Sequence, residues 1–220
     1  MNTEPIAQRK IYGLDYYFNE IVDLYNNNKL PNKILLSGPK GNGKSTLAYH
    51  IINYIVSKNE TNPYNFEQKE ISDQNRSFKL FQNFFHPNFY LINLKEDKRD
   101  IEISQVRKMI NYTNKSSFND RPRFILIDNA EHLNISSVNA LLKVIEEPND
   151  NLFFILIHNN KKIIDYLNKE LGRTNDLLIE TQETKTLGDY TALIISGSFI
   201  LGVLSTTVLV FALTKGQGVQ

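Results

Sequence analysis

Residues 38–46, GPKGNGKST, constrain the fold more than any other stretch of this chain. They match G-x-x-x-x-G-K-[ST] at every fixed position, on Gly38, Gly43, Lys44 and Ser45. Glycines let successive backbone N–H groups turn inward and line an anion-binding nest. A helix that begins directly after the nest points its positive end at the same anion. Such a loop works only between a strand and a helix. KILLSG (33–38) reads as the strand and STLAYHIINYIV (45–56) as the helix, so the chain must contain a β-loop-α unit. In that setting the backbone of Gly38, Pro39, Lys40, Gly41, Asn42 and Gly43 would wrap nucleotide phosphates, with Thr46 opening the helix. Lys44 would reach the β- and γ-phosphates, and the Ser45 hydroxyl would ligate magnesium.

The neighbouring segments fix the class of sheet. NFYLINL (88–94), RFILID (123–128) and LFFILIH (152–158) are short, nearly continuous apolar runs. Runs of that kind suit parallel strands covered on both faces. Between them, apolar residues recur at helical spacing: Leu14, Phe18, Ile21, Tyr25; Leu47, Ile51, Tyr54, Ile55; and Val138, Leu141, Leu142, Ile145 before Pro148. Strands alternating with helices predict an α/β layered domain with a parallel sheet. The weakly periodic segment 58–87 is expected to be a helix with loops inserted between the first two strands. No internal repeat is present.

A phosphate loop needs an acid at the end of another strand to hold magnesium. Four apolar residues, Phe124 to Ile127, lead straight to Asp128, which is the expected metal acid beside Ser45. Asn129 follows it. An amide can orient a water molecule but cannot accept its proton at neutral pH. Glu131 lies two residues further on, and its side chain is expected to point elsewhere.

The stretch NISSVNALLKVIEEPNDNLFFILIHNNKKI (134–163) resembles the bacterial replicative clamp-loader AAA+ ATPases, whose pattern runs close to N-A-L-L-K-x-x-E-E-P before a hydrophobic strand. The order and spacing of the motifs extend the resemblance over about residues 9–163, and HPNFYLI and IDNAEHLN look most like the delta-prime-type members, the delta-prime subunits of DNA polymerase III. The resemblance implies a P-loop AAA+ type parallel sheet flanked by helices, binding ATP with Mg2+. It also implies a sensor of the γ-phosphate at Asn159 or Asn160, with His158 as an alternative, and an adenine border near Ile11, Tyr12 and Gly13. The helix over 136–147 would face a neighbouring subunit or simply pack in the core. Hydrolytic relatives place a glutamate where this chain has Asn129, so weak or absent hydrolysis is expected, with Asn129 and Glu131 the catalytic candidates. Implied partners are other clamp-loader subunits, the sliding clamp and, through the assembly, primed DNA.

Departures from the family pattern are equally specific. The chain has no cysteine, which excludes disulfides, a cysteine nucleophile and the four-cysteine zinc module of several clamp-loader subunits, and which fits a reducing, cytoplasmic setting. The family's Ser-Arg-Cys finger motif is missing; LGRTNDLLIE (171–180) offers Arg173 as a substitute finger and Leu177 to Ile179 as a fifth strand, or Arg173 as an ordinary surface residue. The helical lid and collar domains would need well over about 100 further residues and are expected to be missing.

From residue 191 to 214, TALIISGSFILGVLSTTVLVFALT runs without a charge. About 20 apolar residues in a helix cross a hydrocarbon core, so a single transmembrane helix is the expectation, with a buried helix or a pair of buried strands as the alternative because the run is rich in Val, Ile and Thr. The expected division is therefore a nucleotide-binding domain over 1–163, a degenerate fifth-strand and linker region over 164–189, a hydrophobic helix over 190–214 and a polar tail over 215–220. Lys and Arg total 25 against 24 Asp and Glu, which excludes a strongly basic DNA-wrapping protein while leaving room for a local basic patch. The N-terminus has no apolar core of a secretory signal. Three functional readings follow: an ATP-binding accessory subunit of a replication clamp loader, a membrane-tethered P-loop protein regulating a membrane partner, and a truncated or fused chain.

Overall fold

The computed structural model describes residues 3–115, 120–146, 151–159, 192–196 and 207–212. Six strands form one sheet: β1 (Lys33–Ser37), β2 (Phe89–Ile92), β3 (Arg123–Ile127), β4 (Leu152–His158), β5 (Ala192–Ser196) and β6 (Thr207–Ala212). Their order across the sheet is β2-β3-β4-β1-β6-β5. The first four and β6 run parallel, and only β5 is antiparallel to its neighbour. The helices are α1 (Asp15–Asn26), α2 (Lys44–Ser57), α3 (Arg76–Gln82), α4 (Ile103–Thr113) and α5 (Ile135–Glu146).

Strand periodicity sorts the core into two layers. Side chains alternate between faces along a strand. Phe124 and Leu126 of β3 and Ile155 and Ile157 of β4 accordingly join one cluster with Phe18, Ile21, Leu47, Ile51 and Ile52 of α1 and α2. Ile125 and Ile127 of β3 and Leu152 and Phe154 of β4 join the other, with Val106 and Met109 of α4 and Leu141 and Ile145 of α5. Every residue of β3 is buried, as a central strand sandwiched between helices requires. Each fully buried side chain of this size contributes about 1.5–3 kcal/mol, so the two apolar faces hold the phosphate-loop end of β1 and the acid-bearing end of β3 in one plane. At the opposite end of β3 the buried Arg123 guanidinium donates to the carbonyls of Tyr112, Thr113 and Lys115, satisfying the C-terminal turn of α4.

The inserted segment between β1 and β2 contains α3; it packs Tyr64, Ile71, Phe78 and Phe81 into the first core cluster, and polar contacts fix its loops. Asn53 of α2 donates to Asn75 Oδ1 at 3.0 Å, and the same oxygen caps α3 by accepting from Phe78 N at 2.7 Å. Asn75 Nδ2 donates to the Asn62 carbonyl at 2.8 Å.

Most of the run over 190–214, where a transmembrane helix is expected, lies outside the described residues. Residues 192–196 and 207–212 are strands, with Leu209 to Ala212 paired to Ile34 to Ser37 of β1. β-branched side chains lose rotamer freedom in a helix and fit a pleated surface; TVLVFA has three such residues in its six. No helix among the described residues is long and apolar enough to cross a membrane. Asn160, Arg173 and the expected fifth strand at Leu177 to Ile179 also lie outside the described residues.

Candidate nucleotide site

β1 delivers the chain to the loop at the carboxyl end of the sheet, where ligands of open α/β sheets bind. Gly38 N donates to the His158 carbonyl at 3.2 Å, tying the start of the loop to the end of β4. Gly41 (φ 90°) and Gly43 (φ 76°) are left-handed, a conformation that turns backbone N–H groups inward and that side chains resist. Gly43 is also crowded, since a Cβ there would sit 3.0 Å from Leu14 Cδ1. It is the N-cap of α2, whose first residue is Lys44.

Lys44 is buried, and its ammonium folds back to donate to the carbonyls of Gly38 at 2.9 Å and Pro39 at 2.7 Å. Burial lowers its pKa, and the Asp128 and Glu131 carboxylates pull it back up. One residue on, Ser45 Oγ donates to Asp128 Oδ2 at 2.9 Å. The second oxygen, Asp128 Oδ1, accepts from Asn129 N at 2.9 Å. Asp128 itself is fixed by the sheet, its own N–H donating to the Ile92 carbonyl at the end of β2. Burial raises the Asp128 pKa, the bonds from Ser45 and Asn129 lower it, and Glu131 raises it further.

Asn129 adopts φ 58°, ψ 48°, and the chain then makes a single 3-10 turn over Ala130–His132. That turn overturns the expectation for Glu131. Its carboxylate faces the site: Oε1 accepts from Asn159 Nδ2 at 3.0 Å and Oε2 from Asn159 N at 3.2 Å. Asn159 Nδ2 also donates to Asn129 Oδ1 at 3.0 Å. The residue after β4 is thereby bonded to both side chains that follow the Asp128 strand end. His158 is buried, and burial lowers its pKa while Glu131 raises it and Lys44 lowers it, so its imidazole sits in the same electrostatic neighbourhood.

Of the residues expected from sequence, the structure brings Lys44, Ser45, Asp128, Asn129, Glu131 and Asn159 together at the ends of β1, β3 and β4. Pro39 and Asn42 line the same loop half-buried, Lys40 is exposed in it, and Thr46 is half-buried on α2. Near the expected adenine border Ile11 is buried, Tyr12 is exposed and Gly13 has φ 69°. Sequence reasoning missed the carbonyl seat of Lys44, because backbone acceptors carry no side-chain signal.

A family model described as "DNA polymerase III, delta subunit" matches residues 15–167. The chain belongs to that family. The match spans α1 through β4 and contains the phosphate loop, Asp128, Asn129, Glu131 and Asn159, while Ile11, Tyr12 and Gly13 precede it. Among curated members, DNA polymerase III subunit delta' of Pseudomonas aeruginosa is 24% identical over 131 residues, covering 59% of this chain and 38% of its own. The subunit delta' of Buchnera aphidicola subsp. Schizaphis graminum is 28% identical over 148 residues, covering 66% of this chain and 43% of its own. Among solved structures, a DNA polymerase III gamma subunit-related protein of Thermotoga maritima aligns with a TM-score of 0.42 and 13% identity over 72% of this chain and 53% of that one. This chain spans less than half the length of the curated delta' relatives it matches.

Proposed function

We propose that this chain is the nucleotide-binding part of a delta-prime-type accessory subunit of a DNA polymerase III clamp loader, acting in the cytoplasm, and that it binds Mg-ATP with little or no hydrolysis. The observation that carries the reading is the pairing of Ser45 with Asp128 beside a buried Lys44 whose ammonium donates to two loop carbonyls. That donor set fits the group. The glycine nest and the start of α2 supply backbone N–H groups for phosphate oxygens. Lys44 would exchange its carbonyl partners for the β- and γ-phosphates, and Ser45 and Asp128 would hold magnesium. Bound magnesium supplies charge neutralisation at the phosphates.

Hydrolysis needs a base for water, and the position after Asp128 is an amide. Asn129 can orient water, while Glu131 is the carboxylate nearest the sensor position, held there by Asn159. Asn159 in this reading reports phosphate occupancy to the turn that follows β3. α5, which follows that turn, is the surface offered to another subunit, and through the assembly the chain contributes to opening a sliding clamp on primed DNA.

The test is titration of the chain with a fluorescent ATP analogue, with and without magnesium, for wild type and Lys44→Ala, followed by pull-down with clamp-loader subunits. Magnesium-dependent binding lost in Lys44→Ala and association with those subunits are expected. A wild-type chain that neither binds the nucleotide nor associates would sink the proposal.

A further inference from the structure

Helix α3 ends in a way that the fold does not explain. Phe84 N donates to the Phe81 carbonyl at 2.9 Å and Phe85 N to the Leu80 carbonyl at 3.0 Å, the two bonds of a Schellman stop. The left-handed position of that motif normally falls to glycine or asparagine; here Phe84 occupies it with φ 56°, directly after Asn83. A bulky residue in this conformation is a genuine outlier and marks candidate functional positions. Phe85 stands where the motif usually buries an apolar contact against the helix, yet Phe85 is 79% exposed and Phe84 is 63% exposed. Two adjacent aromatic rings are held out in water at a conformational cost.

The chain then passes directly into a cleft of about 510 Å³ whose wall includes His86, Pro87, Asn88, Gln74, Arg76 and Arg121. Both guanidinium groups lie close enough to His86 to oppose its protonation, so positive charge converges on one wall. Arg121 is anchored there by a bond from its guanidinium to the Val56 carbonyl at 3.2 Å. The carboxylate in the cleft, Glu60, is turned into the start of α3, accepting from Arg76 N, Ser77 N and Ser77 Oγ. Arg76 and Arg121 against Glu60 leave the described lining of the cleft net positive.

We propose that this groove and the Phe84–Phe85 knuckle form a binding site for single-stranded nucleic acid, separate from the nucleotide site. The phosphodiester backbone follows Arg76 and Arg121, and exposed bases stack on the two rings. Cationic grooves flanked by stacking platforms hold single strands in this way without needing sequence readout. An apolar protein partner would cover the rings but desolvate the arginines and the amides of Gln74 and Asn88. An acidic peptide would lie along the arginines and leave the rings unused.

The experiment is fluorescence anisotropy of labelled oligo-dT with the full 220-residue chain, titrated across salt concentrations without ATP. Wild type is expected to bind with a salt-dependent affinity, and Lys44→Ala to bind equally well, which separates this site from the phosphate loop. Arg76→Ala and Arg121→Ala should each lower the salt slope by about 0.7, the value for one phosphate contact on a single strand. Phe85→Ala should weaken binding roughly five- to hundredfold, the range of one stacking contact. Phe84→Gly is the decisive variant: it should weaken binding while raising Tm, because glycine relieves the left-handed backbone, so loss of folding cannot account for the loss of ligand. Absence of wild-type binding, or phenylalanine variants that bind as wild type does, overturns the proposal. So does poly-glutamate binding that depends on the arginines but survives loss of both rings, which would assign the groove to an acidic protein.

Discussion

Burial works on Lys44 and Asp128 in opposite senses, lowering the pKa of the ammonium and raising that of the carboxyl, so each is pushed toward its neutral form. Each offsets part of the cost to the other, and incoming phosphates would favour the charged Lys44. Asp128→Asn keeps the shape and the Ser45 contact but removes the charge, so nucleotide affinity should lose its magnesium dependence, read by titration with and without chelator. Gly43→Ala tests the loop itself. Its φ of 76° strains any side chain, and a methyl would require Leu14 Cδ1, 3.0 Å away, to give way by a few tenths of an ångström; the left-handed conformation alone costs about 1–2 kcal/mol. Urea unfolding should show at least that loss, with weaker nucleotide binding. For turnover, Asn129→Glu should raise phosphate release if the missing base is limiting, and Glu131→Gln should abolish whatever rate wild type has, measured by phosphate-release assay. These residues differ in how far sequence exposes them. Lys44, Ser45 and Asp128 lie at fixed spacing on elements of clear type, so their convergence is readable. The inward Glu131 is not readable, because it depends on one left-handed residue, Asn129, and on a tight 3-10 turn that aims the carboxylate back at Asn159.

Elements divide along the same line. β1 to β4, α1, α2 and α5 rest on local apolar patterns, and a pattern is what a sequence displays. α4 shows the same kind of local pattern, with Val106, Met109 and Ile110 on its packed face and Gln105 Oε1 accepting from Glu102 N at 3.2 Å to open it. α3 and the insert around it depend on partners distant in sequence. Asn75 serves three elements at once, so Asn75→Ala should cost about 2–4 kcal/mol, the loss of a helix cap plus an unsatisfied Asn53 donor. Two buried histidines give the same region a pH dependence. His50 Nε2 donates to the Gln8 carbonyl and its Nδ1 accepts from the Tyr64 hydroxyl, while His86 Nδ1 accepts from Asn88 N. Burial pushes both down to about 4 from the usual 6.5. Between those values the unfolded chain binds protons that the folded chain refuses, so stability is flat above pH 6.5 and falls as pH drops toward 4. The slope is at most about 1.4 kcal/mol per pH unit for each histidine. Urea midpoints at pH 7.5 and 5 should differ accordingly, and His50→Gln should remove part of the dependence, because His86 and the buried His158 keep theirs.

At the scale of the whole molecule, the place of the C-terminal apolar run decides how the sheet ends. Charge-free length alone reads as a membrane span, and composition alone cannot choose between that and strands, because both bury Val, Ile and Leu. The choice is made by β1, whose free side offers unpaired N–H and C=O groups that an extended chain can satisfy. β6 takes that position and is itself covered by β5, so Val210 has a strand on each side, opposite Leu35 and Leu193. A proline there removes a ladder donor and strands its acceptor, which is tolerated at edges but not between two strands. Val210→Pro should therefore destabilise the chain by about 2–4 kcal/mol and raise hydrogen exchange at Ile34 to Leu36, at the base of the phosphate loop. Nucleotide affinity should weaken with it, because β1 is what aims Gly38 and the loop at the ligand. A membrane helix makes the opposite forecast, with detergent partitioning disturbed and β1 exchange untouched. Exchange rates at Ile34 to Leu36 that match wild type would mean that β6 does not support the loop.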